Sequence, residues 1–245
     1  MTQRVIEILS PCFIQEDDLK TFAGWPAIFG NAHPVSLEVG CGTGDFIVAL
    51  ARQNPLRNFI AIDIYNKGCL KTCKKLDAAG LTNVRVLRME ARHLLYNFFA
   101  PSSLDAIYIN CPDPWPKLRH RGRRLVQEAF IRMVLYFLRP GGDFYFATDF
   151  VDYGEEVAEL FEGAEGYENR LHAPYSHALP GYPSSKYMDR FLQLGQSIYY
   201  VHQRKAAQFQ ATCALLEGDL GGFRLQQMRS WRRNQSEALE AAPCC

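Results

Sequence analysis

The residues with most chemistry to offer lie at positions 110–124, in the run NCPDPWPKLRHRGRR. One acid, Asp113, and one indole, Trp115, stand among three prolines, Pro112, Pro114 and Pro116. Lys117, Arg119, His120, Arg121, Arg123 and Arg124 follow at once. A carboxylate can orient a polar base, an indole can pack or stack, and guanidinium groups hold phosphates without reading sequence. Together they suit a flat polar base carried on a polyanion. Two plainer readings compete: a basic run is often a solvated face, and Pro-Trp is often a packed turn.

Such a loop needs a rigid strand to launch it, and Ala106, Ile107, Tyr108 and Ile109 supply an apolar run before it. Similar runs recur at 35–39, 58–62, 84–88 and 143–148, and an alternating stretch at 196–202 reads as a last strand. Between them, helical apolar spacing covers 45–51, 66–79, 124–138 and 151–162. Gly80 ends the second of these, and Pro140, Gly141 and Gly142 stop the third. Residues 25–31 read as a packed lead-in loop. Strands alternating with helices predict an α/β fold with a mostly parallel sheet and right-handed crossovers.

Each predicted strand delivers a polar group at its carboxyl end, the edge where open α/β sheets bind ligands. The first gives Glu38 with Gly40, Gly42 and Gly44, and the second gives Asp63. Glu90, then Asn110 and Asp113, and finally Asp149 complete the set. The glycines permit a tight turn and a close backbone approach. Their pattern is GxGxG rather than the dinucleotide GxGxxG. Glu38 before the first glycine would repel a pyrophosphate but suit a cation. Asp63 stands about 20 residues on, where such folds hold a ribose diol. A cationic nucleoside without phosphate is S-adenosylmethionine.

Composition bounds the rest. The chain has 245 residues, 48% of them hydrophobic, and a formal net charge of +1. Nucleic-acid affinity must therefore come from local clustering of charge. No apolar run is long enough to span a bilayer. The start lacks the basic and long apolar regions of a signal peptide, so a cytoplasmic location is expected. The eight cysteines are scattered. Cys69 and Cys73 have no second pair at zinc spacing, so reduced thiols and no metal are expected. Residues 1–204 are expected to form the catalytic domain. Residues 205–245, polar with a basic stretch at 224–233, read as a helical appendage.

The motifs EVGCGTGDF, AIDI, INCPDPWPKLRHRGRR, PGGDFYFATD and GQSIYYV resemble those of the bacterial tRNA (guanine-N7-)-methyltransferases, over about residues 25–204. The resemblance implies a Rossmann-like class I fold of seven strands with the last antiparallel. It implies methyl transfer from S-adenosylmethionine to N7 of a guanosine in the tRNA variable loop. It assigns donor binding to Glu38, Asp63, Glu90 and Asp113, and substrate contacts to Lys117 and Asp149. The family's T-x-x-E before the last strand aligns with Ser185, Lys186, Tyr187 and Met188. Serine keeps the hydroxyl, methionine removes the carboxylate, and Asp189 stands next to it.

Guanine N7 carries an in-plane lone pair and no proton, so no general base is required. Alignment is the main task, with Asp149 accepting from the Watson–Crick edge and Asp113 between donor and base. Arg119, His120, Arg123 and Arg124 would join Lys117 on phosphates, with Ser185 near the base and Trp115 packing the loop. No obligatory protein partner is expected, and the oligomeric state is open. The competing readings are a small-molecule methyltransferase, which the basic run disfavours, and a tRNA-binding relative of weak or no activity, which Met188 suggests.

Overall fold

The structure is a computed structural model that describes residues 6–216. The chain begins with β1 (Phe13–Ile14), a 3-10 turn at Glu16–Thr21 and α1 (Trp25–Phe29). Four strand–helix units follow: β2 (Val35–Val39) and α2 (Asp45–Gln53), β3 (Asn58–Ile62) and α3 (Asn66–Ala79), β4 (Val84–Leu87) and α4 (Ala91–Phe98), then β5 (Leu104–Asn110) and α5 (Glu128–Phe137). A 3-10 turn, Leu118–Arg123, lies between β5 and α5. β6 (Leu138–Thr148), α6 (Val151–Glu162), β7 (Tyr167–Asn169), α7 (Lys186–Gln193) and β8 (Tyr199–Lys205) complete the domain. A last 3-10 turn, Cys213–Leu216, returns to α5, where Arg132 Nη2 donates to Ala214 O at 2.8 Å.

The strands form one sheet in the order β1-β4-β3-β2-β5-β6-β8-β7. All pairings are parallel except those of β8, which runs antiparallel to both β6 and β7. The sheet has eight strands where seven are expected. The additional one is β1, whose two residues extend the edge beside β4. β2, β3 and β5 are almost wholly buried because helices cover both faces, which explains their near-continuous apolar sequence. Leu37, Ile60, Ile62, Ile107 and Ile109 join the core beneath α4, α5 and α6. Ala61, Ala106 and Tyr108 alternate onto the other face, with Phe46 and Ile47 of α2 and Cys69, Cys73 and Leu76 of α3.

Several boundaries differ from expectation. The helix predicted over 124–138 begins only at Glu128 and ends at Phe137. The basic residues before it are wound into the 3-10 turn, and Leu138 already pairs with Leu104. Pro140, Gly141 and Gly142 therefore do not terminate a helix. They form a register irregularity within β6, where a Cβ on Gly142 would lie 3.0 Å from Asp105 O and 3.1 Å from Leu104 O. The lead-in loop holds α1, with the Trp25 indole donating to Phe98 O at 2.9 Å. α4, β7 and α7 are additional to the elements the sequence pattern predicts. Lys205 ends β8 instead of opening the appendage, and its ammonium is buried against Leu138 O at 2.7 Å. The predicted helical appendage beyond residue 216 lies outside the described residues.

α6 approaches β8 at Gly154, where an added Cβ would stand 2.7 Å from Tyr199 Cβ. Gly154→Ala is expected to destabilise the protein by about 1–3 kcal/mol through overpacking, despite alanine's better helix propensity. Urea unfolding measures this, and a stabilised variant would show that the helix can retreat at no cost.

Candidate active site

The strand order reverses between β2 and β5, and the crevice above their carboxyl ends is where such sheets place a ligand. Glu38 is delivered there with only 2% of its surface exposed, and its Oε2 has no hydrogen-bond partner. Burial pushes its pKa up to about 8; the Asn110 amide opposes the push, and Asp63 and Asp45 add to it.

Beyond β2 the chain folds back over β3, with Gly40 N and Cys41 N both donating to Ile62 O at 2.8 and 2.9 Å. Gly40, Gly42 and Gly44 adopt φ of 78°, 55° and 78°, a conformation that side chains resist. A Cβ on Gly40 would meet nothing within 4 Å, so the space above that turn is open. Gly68, absent from the predicted set, matters equally. A Cβ there would lie 2.8 Å from Gly42 O and 3.1 Å from Asp63 Oδ2, so its bareness lets α3 abut the loop.

Asp63 ties these pieces together. Its Oδ2 accepts from Gly42 N at 2.9 Å and its Oδ1 from Tyr65 N at 2.8 Å. Burial nevertheless raises its pKa, against those two backbone donors, and Asp113 is near enough to add to the rise. Glu90 caps α4, accepting from Arg92 N at 2.7 Å and His93 N at 3.1 Å, while Arg92 Nε reaches its other oxygen at 2.7 Å. Its carboxylate thus has a capping role besides the donor contact expected of it.

The loop after β5 opens on two non-glycine residues at positive φ, Cys111 at 45° and Trp115 at 43°. Arg124 holds it from beneath, and here the expected phosphate contact is corrected. Its side chain is 0% exposed, donates to Pro114 O at 2.9 Å, pairs with Glu156 and lies 4.7 Å over the Tyr153 ring. A guanidinium enclosed in this way fixes the loop and cannot reach a tRNA backbone. Arg121 is likewise engaged by Asp152 at 2.9 Å. Lys117, Arg119 and Arg123 remain exposed and His120 half-buried. Trp115 packs within the loop, with the Arg123 guanidinium 5.0 Å over its ring and His120 edge-on at 5.8 Å.

Asp149 follows β6 beside Cys111, whose thiol pKa is raised by burial and by this carboxylate. Burial raises the pKa of Asp149 itself. It does not cap α6: the helix has no side-chain cap, and Thr148 Oγ1 accepts from Phe150 N at 3.2 Å instead. Ser185 caps α7, accepting from Met188 N at 3.2 Å, and Met188 is fully buried against Ala147, Ile198 and Tyr200. Asp189 is exposed on the same helix. Among the described residues no cluster of metal-binding side chains occurs and no helix is long and apolar enough to cross a membrane. The cysteines among them are free thiols.

A glycine turn with open space above it and an unpartnered buried carboxylate fit the amino-acid end and cationic centre of S-adenosylmethionine. The sheet order and these features define a class I S-adenosylmethionine-dependent methyltransferase. Solved structures agree on the fold: the 16S rRNA methyltransferase KamB superposes with a TM-score of 0.55 at 18% identity, covering 83% of this chain and 97% of its own. An antibiotic-related methyltransferase gives 0.53 at 20% identity, covering 78% and 94%. Residues 32–201 match a family model described as "Putative methyltransferase". The tRNA (guanine-N(7)-)-methyltransferase of Geobacter metallireducens is 56% identical over 84% of this chain and 98% of its own. That of Syntrophotalea carbinolica is 52% identical over 91% and 97%. The chain belongs to the tRNA (guanine-N(7)-)-methyltransferase family.

Two measurements probe the site. Without donor, Glu38 keeps its proton from about pH 4.5 to about 8 in the folded protein, whereas the unfolded chain loses it near 4.5. The folded state holds more protons in that window, so this group's contribution to stability falls as pH rises through it. Glu38→Gln is expected to flatten that slope, raise donor-free stability at pH 8 and abolish stabilisation by S-adenosylmethionine. Thermal melts at pH 5.5 and 8 with and without donor test this, and an unchanged slope would remove Glu38 from the account. Arg124→Met is expected to destabilise the protein by about 1–3 kcal/mol, since Pro114 O loses its donor while Glu156, partly exposed, keeps Arg121 at 3.8 Å. Arg123→Ala should leave the melting temperature within about 2 °C, as exposed substitutions do. It should lower the slope of log affinity for tRNA against log salt by roughly 0.7–0.9. The reverse pattern would exchange their roles.

Proposed function

We propose that this protein transfers the methyl group of S-adenosylmethionine to N7 of a guanosine in the variable loop of tRNA, in the cytoplasm. The observation that carries the substrate half is Asp149. Its partly buried carboxylate is not spent on capping α6, and it emerges from the sheet edge that also delivers Glu38, beside a loop with exposed Lys117, Arg119 and Arg123. Membership of the family supports guanine N7 in tRNA as the acceptor.

S-adenosylmethionine supplies an electrophilic methyl on a sulfonium whose sulfur leaves with the bonding pair. The protein's part is placement. Glu38 and the glycine turn hold the donor's charged end, and Asp63 and Glu90 hold its ribose side. Asp113 stands between donor and base. Asp149 accepts from the N1–H and N2–H edge of guanine, turning N7 toward the methyl. Guanine N7 attacks through its lone pair, so no residue has to remove a proton first. Lys117, Arg119, His120 and Arg123 hold phosphates around the displaced nucleotide, and Ser185 lies near the base.

Asp149→Asn is expected to keep its melting temperature and donor affinity while methyl transfer to unmodified tRNA falls tenfold or more. That follows from about 1–3 kcal/mol for a bidentate base contact, since the amide presents a donor to guanine's donors. Nucleoside mapping after transfer of labelled methyl reads the outcome. Near-parental activity of the variant would refute the reader role. No methylated guanosine from the parent protein would favour the inactive relative, for which the buried Met188 is the motive.

A further inference from the structure

Between β7 and α7 the chain sends one aromatic side chain back to the donor edge. The Tyr182 hydroxyl donates to Asn110 Oδ1 at 2.8 Å. Its ring lies 5.0 Å from Phe46 of α2, 5.6 Å from Tyr145 and 5.6 Å from Tyr200, centroid to centroid. It is thereby wedged between the helix that follows the glycine turn and the sheet. Tyr182 N bonds to Leu179 O at 3.1 Å, closing the turn that presents it, and Pro183 beside it is buried.

Asn110 ends β5 on the same face as Tyr108, and Tyr108 pairs in register with Glu38. With Oδ1 committed to the phenol, the orientation of the amide is fixed. Its Nδ2 is buried beside the Glu38 carboxyl without a well-formed hydrogen bond, and Glu38 Oε2 has no partner. One poorly satisfied donor and one orphaned acceptor thus share a buried corner beside the glycine turn. Buried polar atoms are rarely left so, and a ligand is the usual remedy. The amino-acid end of the methyl donor has the complementary pair, an ammonium for the acceptor and a carboxylate for the donor.

We propose that Tyr182 is a positioning residue for the methyl donor, holding the Asn110 amide so that Nδ2 meets the donor's carboxylate while Glu38 meets its ammonium. The segment leading into α7 is thereby part of the donor site. The proposal rests on the placement of the donor at Glu38 given above.

Calorimetry with two probes tests it: S-adenosylhomocysteine, which has the amino-acid end, and 5′-methylthioadenosine, which lacks it. Tyr182→Phe keeps the ring and removes only the hydroxyl. It is expected to raise the S-adenosylhomocysteine Kd roughly five- to tenfold, as for one ordinary hydrogen bond lost, and to leave 5′-methylthioadenosine affinity unchanged. In an Asn110→Ala background the same change should cost nothing more, because the hydroxyl acts through that amide. Equal weakening of both probes, additive losses, or parental affinity of Tyr182→Phe would each overturn the proposal. Glu38→Gln separates the two levels. If it binds S-adenosylhomocysteine normally, the placement of the donor fails. If it loses that binding while Tyr182→Phe does not, only the role of Tyr182 fails.

Discussion

A carboxylate buried at the switch point without a full set of partners is the constraint around which this fold is arranged. The acids around it are treated differently from it. Asp45 is paired with Lys75 at 2.5 Å, Glu90 with Arg92 at 2.7 Å, and Asp63 is held by two backbone N–H groups. Glu38 alone of these keeps an oxygen with no partner. Burying a polar atom in that state costs roughly 1–3 kcal/mol. Two apolar layers, one on each face of the sheet, offset that cost and keep the crevice rigid. The site is thus shaped for a cation before any cation arrives, and the binding energy of a cationic donor would go into releasing the Glu38 proton rather than into rearranging the walls.

The substrate side follows a different rule. There the charges are divided between holding the loop and facing outward. Arg124 and Arg121 are drawn down onto Glu156 and Asp152 of α6, while Lys117, Arg119 and Arg123 stay in solvent. The backbone at Cys111 and Trp115 is held at positive φ, a strain the buried Arg124 helps to secure. A rigid loop keeps its exposed cations at fixed spacing, which a flexible basic tail of the same charge could not do. Net charge near neutrality is therefore no obstacle to binding a polyanion locally.

What was legible in the sequence depends on how local each feature's cause is. β2, β3, α3 and α6 are readable to their end residues because apolar period, glycine stops and strand-end acids all lie within the element. α4 carries a helical spacing too, in Leu94, Leu95 and Phe98 after the cap Glu90, but that acid reads first as a ligand. β1 and β7 have two and three residues, too few for any period, and exist only because a neighbouring strand offers an edge. Glu38 and the glycines can be found from sequence since each is adjacent to its strand. Arg124 cannot be separated from Arg123 in that way, because its fate is set by Glu156, 32 residues away. Gly68 and Tyr182 escape for the same reason, since one is explained by Gly42 and Asp63 and the other by Asn110.

The Ser185–Met188 pair shows how a local rule and a functional one can share residues. A serine or threonine followed three places later by an acid is the pattern of a helix capping box, and the family's T-x-x-E has that form. Here Ser185 Oγ accepts from Met188 N at 3.2 Å, while Met188 Sδ lies 3.4 Å from Ser185 N, so a weak thioether acceptor stands where the carboxylate would. The helix start survives the change, and the charge does not. Met188 turns instead into the apolar cluster with Ala147, two residues before Asp149, and packs the ground on which that acid stands. Loss of a carboxylate at position 188 therefore comes with apolar packing beneath the strand end that carries Asp149. On the function proposed above, guanine recognition would rest on Asp149, and its partial burial would strengthen a hydrogen bond to the base.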